Sequence, residues 1–283
     1  MAFALALLSS FLWGSSDFQA GRISKKYQAF AVLGVTQLIG LLFGISLIFI
    51  TGERDAVAFG SDGFLSGFFW PGVFAGICGY IGLISLYTGL STGRMGVVSP
   101  ISSLGAVVPV LFALIGGEEL SRGRWIGVVI ALAGAFCASG PEVSQGLPLR
   151  PLLLAFGAAF GFGGTLTLMG IGSDSSALMT MVTMRATTAI FTIGLALRFK
   201  TAGGFSKSDA PSLIFIGIAD FLANFTLGLA TQHGLVSLVM VLGSLYPVVT
   251  VLLAFRLLHE RLHKVQYVGV FLAVTGVALL SAF

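Results

Sequence analysis

The chain has 283 residues, of which 56% are hydrophobic and 9% charged, with a mean hydropathy of +1.01 and a formal net charge of +4. A soluble domain carries about 25% charged residues, so this composition excludes a water-soluble enzyme or binding module and leaves a polytopic helical membrane protein. The small positive balance lies in loops, which excludes a nucleic-acid surface, and apolar runs of ~20 residues exclude a β-barrel, whose segments are about half as long.

The sequence begins on an apolar run with no charged stretch before it, so this run reads as a retained first span and not a cleaved signal. Ten candidate helices follow along the chain: 3–20, 29–50, 66–90, 95–116, 124–139, 151–171, 177–197, 211–231, 235–257 and 265–282. The first carries Trp13, Gly14 and Asp17, the second Gln37, and the fourth Pro100 and Pro109. The seventh carries Arg185, the eighth Asp220 and Asn224, and the ninth Tyr246 and Pro247. Cys78 and Cys137 both lie in apolar runs and read as small packing residues, neither a disulfide nor a metal pair. The segment 140–150 is a linker between a first unit, 1–139, and a second, 151–283.

The two units resemble one another. "GVVSPISSLGAVVP" (96–109) matches "GLVSLVMVLGSLYP" (234–247), so Gly105 and Pro109 pair with Gly243 and Pro247. Downstream, Glu118, Gly127 and Gly134 pair with Glu260, Gly269 and Gly276. "FLWG" (11–14) matches "FGFG" (160–163), and Gln37 then falls opposite Arg185. Between the proline and the glutamate the second unit has four more residues, about one helical turn. Five spans per unit is an odd number, so the second unit threads the membrane upside down. Inverted repeats of this kind are a transporter architecture with a binding site near midplane.

The cations support one orientation. Arg22, Lys25, Lys26, Arg94, Arg150, Arg198, Lys200, Lys207, Arg256, Arg261 and Lys264 fall in odd-numbered loops, against Arg54, Arg122 and Arg124 in even ones. The positive-inside rule puts the odd loops in the cytoplasm and both termini outside.

Ten spans in two five-helix repeats, Trp13-Gly14 in the first helix, a proline followed by Glu-x-Leu in helices four and nine, and Gly-x6-Gly in helices five and ten form an ordered set. On these motifs the sequence resembles the EamA-type transporters of the drug/metabolite transporter superfamily. The resemblance implies an all-α inverted-repeat bundle around a central cavity, working as a bacterial-type inner-membrane permease and often as an exporter. It also implies a seam between helices five and ten through Gly127, Gly134, Gly269 and Gly276. Small residues seven apart let two helix backbones approach closely. Members often carry an arginine in the second helix of a repeat. Here only the second unit does, with Gln37 in its place in the first.

Charges inside the spans are few: Asp17, Arg185 and Asp220. A charge in hydrocarbon costs at least ~2.5–3.5 kcal/mol, so such groups are paired or functional. Arg185 lies about 12 Å into helix seven and Asp220 about 13–14 Å into helix eight from the opposite face, which predicts that they pair near midplane. Asn224 follows one turn later on the same face. The pair reads either as a fixed strut or as cavity lining that binds substrate. In the second case the planar guanidinium suits a carboxylate or phosphate. Asp17 reads either as an interfacial partner of Arg22, Lys25 and Lys26 or as a proton-exchanging carboxylate in the cavity. Trp13 is the preferred aromatic of the site, with Tyr80, Tyr87 and Tyr246 as further candidates and Ser16, Thr36, Ser99, Thr183 and Ser244 as polar ones. Pro100, Pro109 and Pro247 break backbone hydrogen bonds inside spans and are candidate gate hinges. Glu118, Glu119 and Glu260 read as headgroup-level anchors at helix ends.

There is no phosphate loop, no metal-ligand cluster and no nucleophile–base set, so neither cofactor nor enzyme activity is expected. The expected function is secondary active transport of a small organic metabolite by alternating access, as an exporter, with protons as a candidate coupling ion and with the protein as a monomer or homodimer. Multidrug efflux of lipophilic cations is the alternative. A channel or membrane-embedded enzyme is the reading from another class.

Overall fold

The computed structural model describes residues 1–53, 55–90, 95–140, 149–199, 204–258 and 262–283, and everything described with regular structure is helical. In chain order the α-helices are α1 (Ala2–Ile23), α2 (Ala29–Thr51), α3 (Phe69–Leu90), α4 (Met95–Ser103), α5 (Val107–Ile115), α6 (Arg122–Ala138), α7 (Leu149–Phe199), α8 (Ala210–Thr231), α9 (Val236–Gly243), α10 (Tyr246–Leu257) and α11 (Lys264–Ala282). Among them, six segments are long and apolar enough to cross a membrane, counting α9 and α10 as one. α1 has the length, but its serines, Asp17 and Gln19 dilute its hydropathy, while α6 has only 17 residues.

The 51 residues of α7 would extend about 76 Å as one straight helix, more than twice the hydrocarbon thickness. It is not straight. Ser176 has extended backbone angles (φ −163°, ψ 117°), and its hydroxyl accepts from the Met179 N–H at 3.0 Å, capping a new helix. Contacts with α3 show the chain doubling back. Gly72 and Gly76 meet Thr183 and Thr187, so α3 runs parallel to the limb after Ser176. Gly82 meets Phe162 and Gly89 meets Leu154, so α3 runs antiparallel to the limb before it.

Both helices with mid-span prolines are broken. A 3-10 turn at Leu104–Ala106 separates α4 from α5, and Ser244–Leu245 separate α9 from α10. Pro109 and Pro247 therefore sit in the first turn of the second half-helix, where a missing N–H costs least. Pro100 is the proline inside a helix. Ser103 and Ser244 return hydroxyl hydrogen bonds of 2.7 Å to the carbonyls of Pro100 and Val241.

α6 and α11 pack antiparallel with their backbones in contact. A Cβ on Gly127 would meet Leu280, one on Gly134 the backbone of Ala273, one on Gly269 the backbone of Ala138, and one on Gly276 the backbone of Ala131. α2 pairs with the second limb of α7 in the same reciprocal manner, Gly34 on Thr192 and Gly44 on Val182. Gly14 of α1 sits on the Tyr246 carbonyl of α10, and Gly163 of α7 on the Gly105 carbonyl beside α5.

The outer surface is apolar. Phe49, Ile50, Ile115, Ile190, Leu197 and Phe271 are all largely exposed, Ile115 by 86%. Water would not tolerate such a belt around a monomer, whereas lipid requires it.

Candidate functional site

The polar centre is assembled by α1, α2, the second limb of α7 and α8. Arg185 is buried, with 5% of its surface exposed. Its Nη2 donates to Asp220 Oδ2 at 2.7 Å and reaches the Asp220 carbonyl at 3.4 Å. Its Nη1 donates to Gln37 Oε1. Its Nε faces Gly40 and, among the described residues, has no partner. Thr188, one turn on, donates its hydroxyl to the same Gln37 oxygen at 3.2 Å.

Asp220 is shared. Trp13 Nε1 donates to Oδ1 at 3.0 Å while Arg185 holds Oδ2. The Asp220 side chain keeps 26% accessibility, against 6% for that of Arg185. Asn224 donates its amide to the Asp220 carbonyl at 2.7 Å and lies on the same stripe of α8. The Trp13 ring meets Tyr246 edge-on, with centroids 6.0 Å apart.

Asp17 lies one turn beyond Trp13. On α1 it shares a side with Ala6 and Ser10, both buried, and points away from the exposed Leu8 and Phe11. It is nonetheless accessible, and protein surrounds it. The Asp17 carboxylate lies within electrostatic range of Asp220 and Tyr246, and among the described residues it has no hydrogen bond or ion pair. The expected interfacial partners turn elsewhere. Arg22 donates to Gln19 and lies over the Phe18 ring, and Lys26 pairs with Asp209 at 3.2 Å.

Beyond Asp17, toward the α1–α2 turn, the helices are stitched together. Ser16 donates to the Ile216 carbonyl and Gln19 to Ser212 Oγ at 2.7 Å. Ile23, Val32, Leu213 and Ile216 form a small apolar cluster. Tyr27 donates to Asp209 Oδ2 at 2.8 Å and accepts from the Ser206 N–H. The Tyr27 hydroxyl bond, then the Lys26 ammonium, hold the Asp209 carboxyl below the usual carboxylate range.

The structure thus brings Trp13, Asp17, Gln37, Arg185, Asp220 and Asn224 together. Tyr80 is separate, buried and stacked on Phe191 at 4.9 Å. Thr36 bonds its own helix at Leu33, and Thr183 packs on Gly72 of α3. The side chains of Tyr87 and Ser99, and Glu260 altogether, lie outside the described residues. Sequence reading missed the role of Glu118. Its carboxylate accepts from the backbone N–H groups of Val236 and Ser237, at 2.5 and 3.1 Å, and caps α9 from across the bundle. No local signal announces a cap supplied by another helix. Thr188 was readable as one turn from Arg185, and the Lys26–Tyr27–Asp209 group was not, since 182 residues separate Tyr27 from Asp209.

Two stretches, residues 1–140 and 149–282, match the EamA-like transporter family. The chain belongs to that family. It is a multi-pass membrane protein and, in general terms, a membrane transporter. No curated protein matches the sequence. A solved structure described only as a crystal structure of a protein shares the fold of this EamA-like chain. Its TM-score is 0.81 at 19% identity, over 99% of this chain and 96% of that one.

Proposed function

We propose that the protein is a secondary active permease that exports a small organic metabolite across the cytoplasmic membrane by alternating access, with protons as the coupling ion. The observation that carries this reading is an ion pair and a lone accessible carboxylate held in the middle of an otherwise apolar bundle. Such groups are expensive in a membrane and mark pathways for solutes or protons.

The architecture proposed is ten spans in two inverted five-helix repeats, with both termini outside. α7 supplies two spans, α4 with α5 one, and α9 with α10 one. Three observations support the repeat. The α6–α11 contacts are reciprocal, the α2–α7 contacts are reciprocal, and the family match falls in two consecutive stretches. In this scheme Pro100, Pro109 and Pro247 mark hinges beside the broken helices. Trp13, Asp17, Gln37, Asp220 and Asn224 line or frame the substrate site, and Arg185 holds Asp220 in place.

Lipophilic-cation efflux is the second reading, favoured by the unpaired Asp17 beside Trp13 and Tyr246. Reconstitution in proteoliposomes tests the carrier reading common to both. A carrier gives saturable flux with counterflow, accelerated by an opposing pH gradient. Flux that does not saturate and shows no counterflow defeats it.

A further inference from the structure

Four cations meet at one end of the bundle. Arg22 is in the last turn of α1, Lys25 and Lys26 stand in the turn to α2, and Lys207 opens the 3-10 turn Lys207–Asp209 that leads into α8. All four are exposed. The two parts of the chain are fastened to each other. Tyr27 bonds both Asp209 and the Ser206 N–H, and its ring lies on Phe205 with centroids 4.8 Å apart. Asp209 is the one carboxylate among the described residues 20–30 and 204–212, and it is buried and spent on Tyr27 and Lys26. Four cations against one carboxylate leave a net charge of +3. The side chains of Lys25 and Lys207 have no hydrogen bond or ion pair among the described residues.

The patch stands at the depth of lipid head groups. Apolar runs long enough to cross a membrane begin at Phe30 in α2 and at Lys207 in α8. The headgroup layer on each side of the hydrocarbon is about 5–8 Å thick, so lysines at these span ends reach its phosphates. Apolar surface adjoins the charge. Phe30 is exposed, and at Gly21, beside Arg22, nothing lies within 4 Å of where a side chain would stand. A soluble anion would use the cations and leave this surface bare, whereas a lipid covers both. Orientation in the membrane needs cations only in number. Here they are also fixed in place, which lowers the cost of holding one head group there.

We infer that this patch binds an anionic phospholipid, its phosphate held by Lys25 and Lys207 beside Arg22 and its acyl chains lying on α1 and α2. The site holds lipid whatever solute the bundle moves.

Native mass spectrometry of the purified full-length protein in detergent tests this, with phosphatidylglycerol and phosphatidylcholine supplied in equal amounts. The wild type should retain phosphatidylglycerol in preference. Lys25→Gln combined with Lys207→Gln should weaken that binding about tenfold or more, since each basic residue near a leaflet adds attraction for anionic lipid. Lys25→Arg combined with Lys207→Arg keeps both charges and should retain the lipid, which guards against loss through misfolding. Arg256→Gln combined with Lys264→Gln removes two exposed cations from the last turn of α10 and the start of α11, and should change nothing. Equal retention of the two lipids, undiminished phosphatidylglycerol in the Lys25/Lys207 glutamine variant, loss in the arginine variant, or an equal loss in the Arg256/Lys264 variant overturns the site. Displacement of the lipid by inorganic phosphate at the same concentration also overturns it, because a plain anion site would remain.

Discussion

Arg185 and Asp220 meet at 2.7 Å between the second limb of α7 and α8, and each also bonds a residue of the other half of the chain: Gln37 for Arg185, Trp13 for Asp220. The pair therefore fastens four helices. Removing one partner strands a charge in the interior, which typically costs about 3–5 kcal/mol. Arg185→Gln and Asp220→Asn should each lower the melting temperature in detergent. The low end of that range applies, because the Asp220 side chain stays partly accessible. The double variant strands no charge and should recover much of the loss. If the two losses simply add, the pair is not a coupled strut.

Gly14 admits no side chain. A Cβ there would lie 2.5 Å from the Val249 Cβ and 2.7 Å from the Tyr246 carbonyl oxygen. The carbonyl belongs to the backbone and cannot swing aside, so Gly14→Ala should cost on the order of 1–3 kcal/mol, the usual cost of overpacking. Gly21, on the same helix, has nothing within 4 Å of that position. Gly21→Ala is the matched control and should melt at or above the wild-type temperature. Equal melting of the two variants would contradict the packing described.

Much of this arrangement was legible in the sequence. Charge scarcity singled out Asp17, Arg185 and Asp220, and depth counted from helix ends paired the last two. The glycine spacing in α6 and α11 foretold a close seam because small residues at a fixed period have one use on a lipid-bathed helix. What could not be read was which group faces inward and which is spent. Arg185 looked like a clamp for an anion. Only the positions of Gln37 and Asp220 show its fork filled and Asp17 left over. The Glu118 cap was invisible for the same reason, since a helix end can be satisfied by any residue that folding brings near.

Glu118 accepts two backbone N–H groups at the start of α9, where the helix dipole favours a negative charge. Glu118→Ala should cost about 1 kcal/mol, the usual worth of a cap. Glu119→Ala, its neighbour, should cost less. Faster hydrogen exchange at Val236 and Ser237 in the Glu118 variant is the direct readout. Unchanged exchange there would remove Glu118 from this role.

The Asp209 cluster makes stability depend on acid. Its carboxyl is held below the ordinary carboxylate range, first by the Tyr27 hydroxyl and then by Lys26. A depressed folded value contributes stability that is complete above the unfolded pKa, about 3.9, and is lost as pH falls through the folded value. The melting-temperature gap between wild type and Asp209→Asn should therefore be constant from neutral pH down to about 5 and shrink below about 4. A gap that persists unchanged at pH 3 would mean that the Asp209 charge contributes nothing.

The contact between Gln37 and Arg185 carries a consequence for how such a chain can arise. Under the proposed repeat they are counterparts, one in each half, and they touch each other. A position that meets its own copy is the one place where two identical halves are at odds. Two arginines would confront like charges, and two glutamines would leave Asp220 without a cation. Two identical half-length subunits could never place one amide and one guanidinium there. A single fused chain can, because fusion lets the two copies drift apart at the point where sameness is forbidden.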